Sequence, residues 1–312
     1  MIVTVTMNPA IDKTVDITRL EKGDLNRIKR VEMDAGGKGV NVSKTIRALG
    51  GDSIATGFIG GNSGIIIKNV LSELGITTDF VMVEGETRTN LKVVEEKGDV
   101  TELNEPGPQV SAGQLEELIC RLEGYAAKDT LFVLAGSIPA GVPKDVYRKI
   151  TERVHEKGAK VLLDADGELF AQGIQAKPYV IKPNKYELAT YFGVSQDCSN
   201  EEMISLAKTL LNEECRLVVV SMGKQGSIFL SHEGIYQAEA LHIQAHSSVG
   251  AGDAMVAAIA YALEQDTPME QLIALSVACS AGAVMTKGTQ PAEKAVVEKL
   301  MKQVTIKKLE EN

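Results

Sequence analysis

What most constrains the fold of this chain is a recurring order: a short apolar run, a glycine-bearing turn, then a stretch with helical patterning. Residues 53–60 run into Gly61-Asn62-Ser63-Gly64 and a helix expected over 65–74, and residues 131–135 run into Gly136-Ser137-Ile138-Pro139 and a helix over 144–156. Further strands are expected at 2–6, 160–163, 179–182 and 216–221, a hairpin at 223–231, and helices at 185–192, 201–212, 253–264, 271–286 and 292–304. Continuous apolar strands that alternate with helices read as a parallel sheet covered on both faces. Four other stretches, 13–17, 26–34, 89–95 and 99–103, alternate polar with apolar residues, as half-buried strands with one wet face do. They predict a second, small sheet serving as a lid or interface. No Pro/Gly/Ser linker and no repeat of solenoid period divides the chain. The expectation is one α/β/α domain over 1–312, with a discontinuous β lid drawn from about 12–34 and 87–104.

Charge narrows the partners. A formal net charge of −9 argues against nucleic acid and anionic membranes, both of which need a positive field, so an anionic small substrate must find a local basic pocket. The first residues alternate like a strand and lack the basic start and apolar core of a signal peptide. The longest uncharged span, 271–286, is too short to cross a bilayer. Cys120, Cys198, Cys215 and Cys279 have neither metal nor redox spacing, which predicts reduced thiols in a cytoplasmic protein, without disulfides or zinc.

Chemistry concentrates in a few blocks. In Ser247-Ser248-Val249-Gly250-Ala251-Gly252-Asp253, glycines flank a small residue ahead of an apolar helix, so backbone N–H groups and the helix dipole converge on one anion site. Asp253 would repel that anion unless it meets something arriving beside it. A proton acceptor next to a phosphate cradle suggests phosphoryl transfer to a hydroxyl; the alternative is an acidic residue favoured in a first helical turn. Asp34-Ala35-Gly36-Gly37-Lys38-Gly39-Val40-Asn41 opens another helix and allows close backbone approach to a ligand, with Lys38 as a point charge. It is no Walker loop, and no dinucleotide fingerprint occurs, which disfavours a nicotinamide dehydrogenase. Asp12 stands past the end of the first strand, either contacting a ligand or capping a turn. In Lys182-Pro183-Asn184-Lys185-Tyr186-Glu187, Asn184 and Glu187 lie three apart on a first helical turn, suited either to ordering a magnesium ion or to an ordinary capping pair. Ser221-Met222-Gly223-Lys224-Gln225-Gly226 would cradle nucleotide phosphates or simply turn a hairpin. Arg88 opens a lid strand. Asp166, in another loop after a strand, is expected to matter little.

Together these blocks resemble the ribokinase-like carbohydrate kinases, the phosphofructokinase B family. The likeness spans Asn8-Pro9-Ala10-Ile11-Asp12, Gly36-Gly37-Lys38-Gly39-Val40-Asn41, Lys182-Pro183-Asn184 with Glu187, and Val249-Gly250-Ala251-Gly252-Asp253. Glu86-Thr87-Arg88-Thr89-Asn90 and Glu102-Leu103-Asn104-Glu105-Pro106-Gly107-Pro108 resemble the phosphosugar branch. The resemblance implies a homodimeric enzyme, meeting its copy through the lid, that uses ATP and Mg2+ on a phosphosugar. Fructose 1-phosphate is the expected substrate, giving fructose 1,6-bisphosphate, with tagatose 6-phosphate and fructose 6-phosphate as rivals. It implies Asp253 as base and Gly250, Ala251 and Gly252 as phosphoryl-binding amides. Asp12, Gly37, Lys38, Asn41 and Ser137 would hold the sugar, with Arg88 and Arg27 on its phosphate. Lys182, Asn184, Ser221, Gly223, Gly226 and Ser248 would serve the nucleotide, and Asn184 with Glu187 the metal. A degenerate kinase that only senses such ligands is the rival from another class; the intact Asp253 and glycine blocks speak against it.

Overall fold

The computed structural model describes residues 1–243 and 249–310. Its frame is a ten-stranded sheet in the order β14-β13-β12-β11-β10-β9-β8-β1-β4-β5. These are Ile2–Thr6 (β1), Ile54–Gly60 (β4), Thr77–Val83 (β5), Leu131–Ala135 (β8), Lys160–Asp164 (β9), Val180–Ile181 (β10), Leu217–Ser221 (β11), Ser227–Ser231 (β12), Gly234–Ala238 (β13) and Ile306–Glu310 (β14). From β5 to β11 neighbours run parallel, and β12 to β14 continue antiparallel. β1 and β8 are buried at every residue, as runs such as Ile2-Val3-Thr4-Val5-Thr6 require when helices cover both faces. The chain winds from β1 through β4 to β5, then starts again at β8 on the other side of β1. Strand order therefore reverses between β1 and β8, where open α/β sheets leave a crevice at the carboxyl ends of their strands.

Ten helices pack on this sheet among the described residues: Lys38–Leu49 (α1), Gly61–Glu73 (α2), Ala112–Tyr125 (α3), Val146–His155 (α4), Gly167–Gly173 (α5), Lys185–Phe192 (α6), Asn200–Lys208 (α7), Ala251–Glu264 (α8), Met269–Met285 (α9) and Lys294–Met301 (α10). None of the helices described is long and apolar enough to cross a membrane. The Ala-rich α8 is buried at nine of its residues, and it lies between α1 and α9. α1 lies directly on β1: a Cβ on Gly39 would come within 2.4 Å of the Thr6 hydroxyl, so only glycine admits this approach. That closeness sets the depth of Lys38 and Asn41.

A separate four-stranded sheet has the order β3-β2-β6-β7, from Ala10–Ile17 (β2), Arg30–Gly36 (β3), Arg88–Glu95 (β6) and Val100–Asn104 (β7). Its register aligns Asp34, Asp12, Asn90 and Asn104 in one polar row. Val31, Met33, Leu91 and Leu103 belong to the opposite row.

Several expectations need correction. Asp12 is not in a turn: Asn8-Pro9 breaks β1, but alternation resumes at once and Asp12 lies within β2. The strand expected over 26–34 begins only at Arg30, because the Asn26 side chain bonds the backbone of Glu21 and Asp24 and holds a loop. Residues 61–64 are not a turn before α2 but its first turn, since the Glu86 carboxylate, far along the chain, accepts from the Asn62 and Ser63 amides. Nothing in the sequence analysis marked β5, α3, α5, β13 or β14.

Candidate active site

The reversal point opens into a cavity of about 390 Å³. β1 and the residues after it supply Thr6 and Asn8; the end of β8 supplies Ala135, Gly136 and Ser137; α1 and its cap supply Gly37, Lys38 and Asn41. The small sheet closes one side with Asp12, Arg88, Asn90, Lys92, Glu102 and Asn104, while Val249, Gly250, Asp253 and Thr289 close another. Asp12, Gly37, Lys38, Asn41, Arg88, Ser137, Gly250 and Asp253, expected from separate parts of the sequence, thus meet in one place.

Asp253 is buried in the first turn of α8, and its Oδ2 accepts a 2.9 Å hydrogen bond from Asn41 Nδ2. Burial, and then the nearby Asp164 carboxylate, push its pKa up to about 6, against the pull of Asn41, Lys38 and Lys182. It is a carboxylate at neutral pH that accepts a proton readily, which suits a general base. Gly250 caps α8 at φ 84, a left-handed conformation that suits glycine, and no side-chain cap of the helix occurs among the described residues. The first N–H groups of α8 therefore have no partner within the helix, and the Lys182 ammonium lies 3.7 Å from where a Cβ on Gly252 would stand. Open amides, a helix dipole and an ammonium together favour an anion.

Asp164 ties this end to the wall that carries Lys38. Its two oxygens take one ammonium each, Lys182 on Oδ1 and Lys38 on Oδ2, both at 3.1 Å. Burial presses the Asp164 carboxyl toward its neutral form, but Lys182 and Lys38 outweigh it and hold its pKa below the ordinary value. Lys38 is likewise held charged: burial opposes, yet Asp164 and Asp253 raise its pKa well above that of a free lysine. Sequence reasoning missed Asp164. The available signal was a carboxylate ending an apolar strand, where α/β sheets place ligand groups. Asp166, expected to be idle, lines the same cavity.

Three buried amide oxygens on residues of the cavity wall, Asn8 Oδ1, Asn41 Oδ1 and Asn90 Oδ1, have no hydrogen-bond partner among the described residues. A ligand rich in hydroxyl donors would satisfy them. Arg88 donates to the Asn8 carbonyl at 3.2 Å and reaches Ser137 Oγ at 3.5 Å. Asn90 donates to Asp12 Oδ1 at 3.0 Å. Arg27 stands apart, exposed in the segment between β2 and β3 and outside the cavity wall. Lys182, Asn184, Glu187, Ser221, Gly223 and Gly226 also lie outside the lining of this cavity, around the ends of β10 and β11. Asn184 bridges to Ser221 there. The capping alternative for Asn184 and Glu187 is realised: Asn184 Oδ1 accepts from the Glu187 amide at 2.8 Å, and Glu187 Oε2 from the Asn184 amide at 2.9 Å. Burial, with Asp164 adding to it, raises the Glu187 pKa against the Asn184 N–H bond. No group of three metal-ligating acidic, His or Cys side chains occurs among the described residues. Ser248 lies outside the described residues.

A hydroxyl-binding cavity that meets an anion-binding helix terminus at a buried base is the arrangement of an enzyme that moves an anionic group onto an alcohol. The family model for pfkB family carbohydrate kinases matches residues 5–295. The chain belongs to that family. It is 34% identical over 309 residues to the 1-phosphofructokinase of Bacillus subtilis, covering 99% of this chain and 100% of the other. It is 31% identical over 310 residues to the 1-phosphofructokinase of Haemophilus influenzae, covering 99% of each. The crystal structure of a putative phosphofructokinase from Staphylococcus aureus superposes with a TM-score of 0.87 at 32% identity, covering 100% of both chains. The fold is ribokinase-like, and the protein is a phosphotransferase with an alcohol group as acceptor.

The raised pKa of Asp253 sets activity against stability. Its folded pKa lies above the unfolded carboxylate value of about 3.9, so between about pH 4 and 6 the native state binds more protons. Stability from this group is complete below about pH 4 and is lost as pH rises through about 6, a difference of about 3 kcal/mol at most. Asp253→Asn should therefore raise Tm at pH 7.5, with the gain shrinking toward pH 4.5, while turnover falls by about 10²–10⁴. Thermal melts across pH, beside initial rates, check both halves; near-wild-type kcat would show that the base lies elsewhere.

Proposed function

We propose that the protein is an ATP-dependent phosphosugar kinase that converts fructose 1-phosphate to fructose 1,6-bisphosphate. The observation that carries this reading is Asp253, a buried carboxylate with a pKa raised to about 6, seated between the start of α8 and a cavity whose amide oxygens lack partners among the described residues. Asp12, Gly37, Lys38, Asn41 and Ser137 hold the sugar, and Arg88 receives its existing phosphate at the far side of the cavity. The free primary hydroxyl then faces Asp253, which takes its proton as the oxygen attacks the γ-phosphoryl group of ATP. Gly250, Ala251 and Gly252 stabilise the transferring group with their amides, and Lys182 adds charge. Ser221, Gly223 and Gly226 line the nucleotide site, beside Asn184.

The magnesium ion that such transfer uses fits these residues through its water shell rather than by direct chelation. Asn184 Oδ1 and Glu187 Oε2 are engaged in capping bonds, which leaves the second oxygen of Glu187, a carboxylate whose ionised form burial and Asp164 disfavour and which a cation would stabilise. When bound, the ion neutralises charge on the nucleotide phosphates. A homodimer through the small sheet is supported by its apolar row, where Met33 and Leu103 are each 57% exposed, beside a polar cavity row. The chain then works as one kinase domain with that sheet as its lid.

Two experiments test the reading. A charged hydrogen bond contributes roughly 1.5–3 kcal/mol, so Arg88→Ala should lower kcat/KM for phosphosugars about 10- to 150-fold and leave free sugars almost unaffected. Measured for fructose 1-phosphate, tagatose 6-phosphate, fructose 6-phosphate, fructose and ribose, the ranking should begin with fructose 1-phosphate. A free sugar as best substrate, or phosphosugar kinetics unmoved by Arg88→Ala, would overturn the assignment. Glu187→Gln preserves the cap, since glutamine also accepts the Asn184 amide. It should keep Tm and raise the magnesium concentration for half-maximal rate; an unchanged magnesium dependence would remove Glu187 from the metal site. Sedimentation equilibrium should show a dimer, and a monomer throughout would refute the lid contact.

A further inference from the structure

Lys44 plays no part in the chemistry described so far, and its surroundings are unusual. It lies in α1 with only 3% of its surface exposed, and it makes no ion pair among the described residues. Its ammonium donates instead to the Ala35 carbonyl at 2.7 Å and to the Thr289 hydroxyl at 3.4 Å. A buried charge without a direct counter-ion is costly, and an apolar residue of similar volume usually serves stability better. The charged groups facing it from neighbouring elements are Asp12 of β2, Asp34 of β3 and Asp253 of α8. All three are carboxylates, and none touches it.

The two bonds reach the two walls that must cooperate. Ala35 immediately precedes Gly36, where a Cβ would stand 2.2 Å from Asp12 Oδ2, so the Asp12 carboxylate lies directly against this piece of β3. Thr289 lines the cavity on the other side and backs Gly250, 3.9 Å from where its Cβ would be. We propose that Lys44 is a positioning residue for phosphoryl transfer: its ammonium fastens the strand that seats Asp12 to the segment that backs Gly250. The sugar held by Asp12 is thereby kept at a fixed distance from Asp253 and the α8 amides. Lys44 touches no substrate. The proposal deepens the kinase reading and rests on it.

Burial lowers the Lys44 pKa from the ordinary lysine value, with Asp34, Asp12 and Asp253 opposing. The charge-assisted bonds of the clamp therefore weaken at a lower alkaline pH than a free lysine would impose, and kcat should fall there. The experiment compares wild type, Lys44→Met, Lys44→Arg and Thr289→Val with fructose 1-phosphate as the probe sugar. Small misplacements of reacting groups cost up to about 10²-fold, so Lys44→Met should lose about 10- to 100-fold in kcat, with KM for ATP unchanged and Tm equal or higher. Lys44→Arg should restore most of kcat and carry the alkaline limb upward. Thr289→Val, which keeps the shape and removes one acceptor, should lose kcat in the same direction by a smaller factor, and it supplies the test if Lys44→Met fails to fold. Wild-type kcat in folded Lys44→Met or Thr289→Val, or an alkaline limb unmoved by Lys44→Arg, overturns the proposal while wild-type turnover leaves the kinase reading standing. No turnover by wild type with any phosphosugar overturns both.

Discussion

One buried carboxylate, Asp164, joins the two halves of this site. Lys38 comes from the helix that follows the glycine loop and Lys182 from the end of β10, and each places its ammonium 3.1 Å from a different Asp164 oxygen. The Lys182 ammonium, on a side chain only 5% exposed, would not stay cheaply at that depth alone, because taking a charge out of water costs several kcal/mol unless a partner compensates; Lys38, with 38% of its side chain exposed, is desolvated less. Sharing one carboxylate between two ammoniums leaves one positive charge among the three groups, which the Asp253 carboxylate offsets when it is ionised. It also places a negative charge near Asp253, which is one reason that its proton affinity is high. The same residue thus helps to seat the cations and to tune the base.

The division of labour across the cleft follows from topology. Strands β1 and β8 part at the reversal of strand order, and their carboxyl ends leave room for a ligand. The small sheet covers that opening with a polar row, since Asp12, Asn90 and Asn104 fall in register on one face. The alternation that makes this face wet makes the other apolar, and Met33 and Leu103 remain exposed on it. A single period-two pattern therefore supplies both a polar, cavity-facing surface and an exposed apolar one.

Much of this was legible in the sequence because the signals were local. Strands such as 2–6 and 131–135 are short apolar runs punctuated by turns, and helix 185–192 carries its own cap in Asn184 and Glu187. The glycine blocks around Lys38 and Asp253 announced anion and ligand sites because so few side chains permit such close backbone approach. What escaped notice depended on distant partners. Helix α2 begins earlier than its glycine-rich start suggests because Glu86 caps it from across a loop. Asp164 looks like an ordinary strand-end residue until Lys38 and Lys182 arrive from 126 residues before it and 18 after it. Asp12 was marked as a ligand residue, but its place inside a strand rather than a turn needed the pairing of β2 with β3 and β6.

Under the proposed function, Asp164 couples the two substrate sites and tunes the base between them. The most direct measurement is the pH dependence of kcat/KM for Asp164→Asn, with KM determined separately for sugar and ATP. Loss of the shared carboxylate leaves Lys38 and Lys182 without their counter-ion and removes the repulsion on Asp253. Both KM values should rise together, and the acid limb should move from about pH 6 to lower pH. A change in only one KM, with the acid limb unmoved, would show that Asp164 neither couples the two sites nor tunes Asp253.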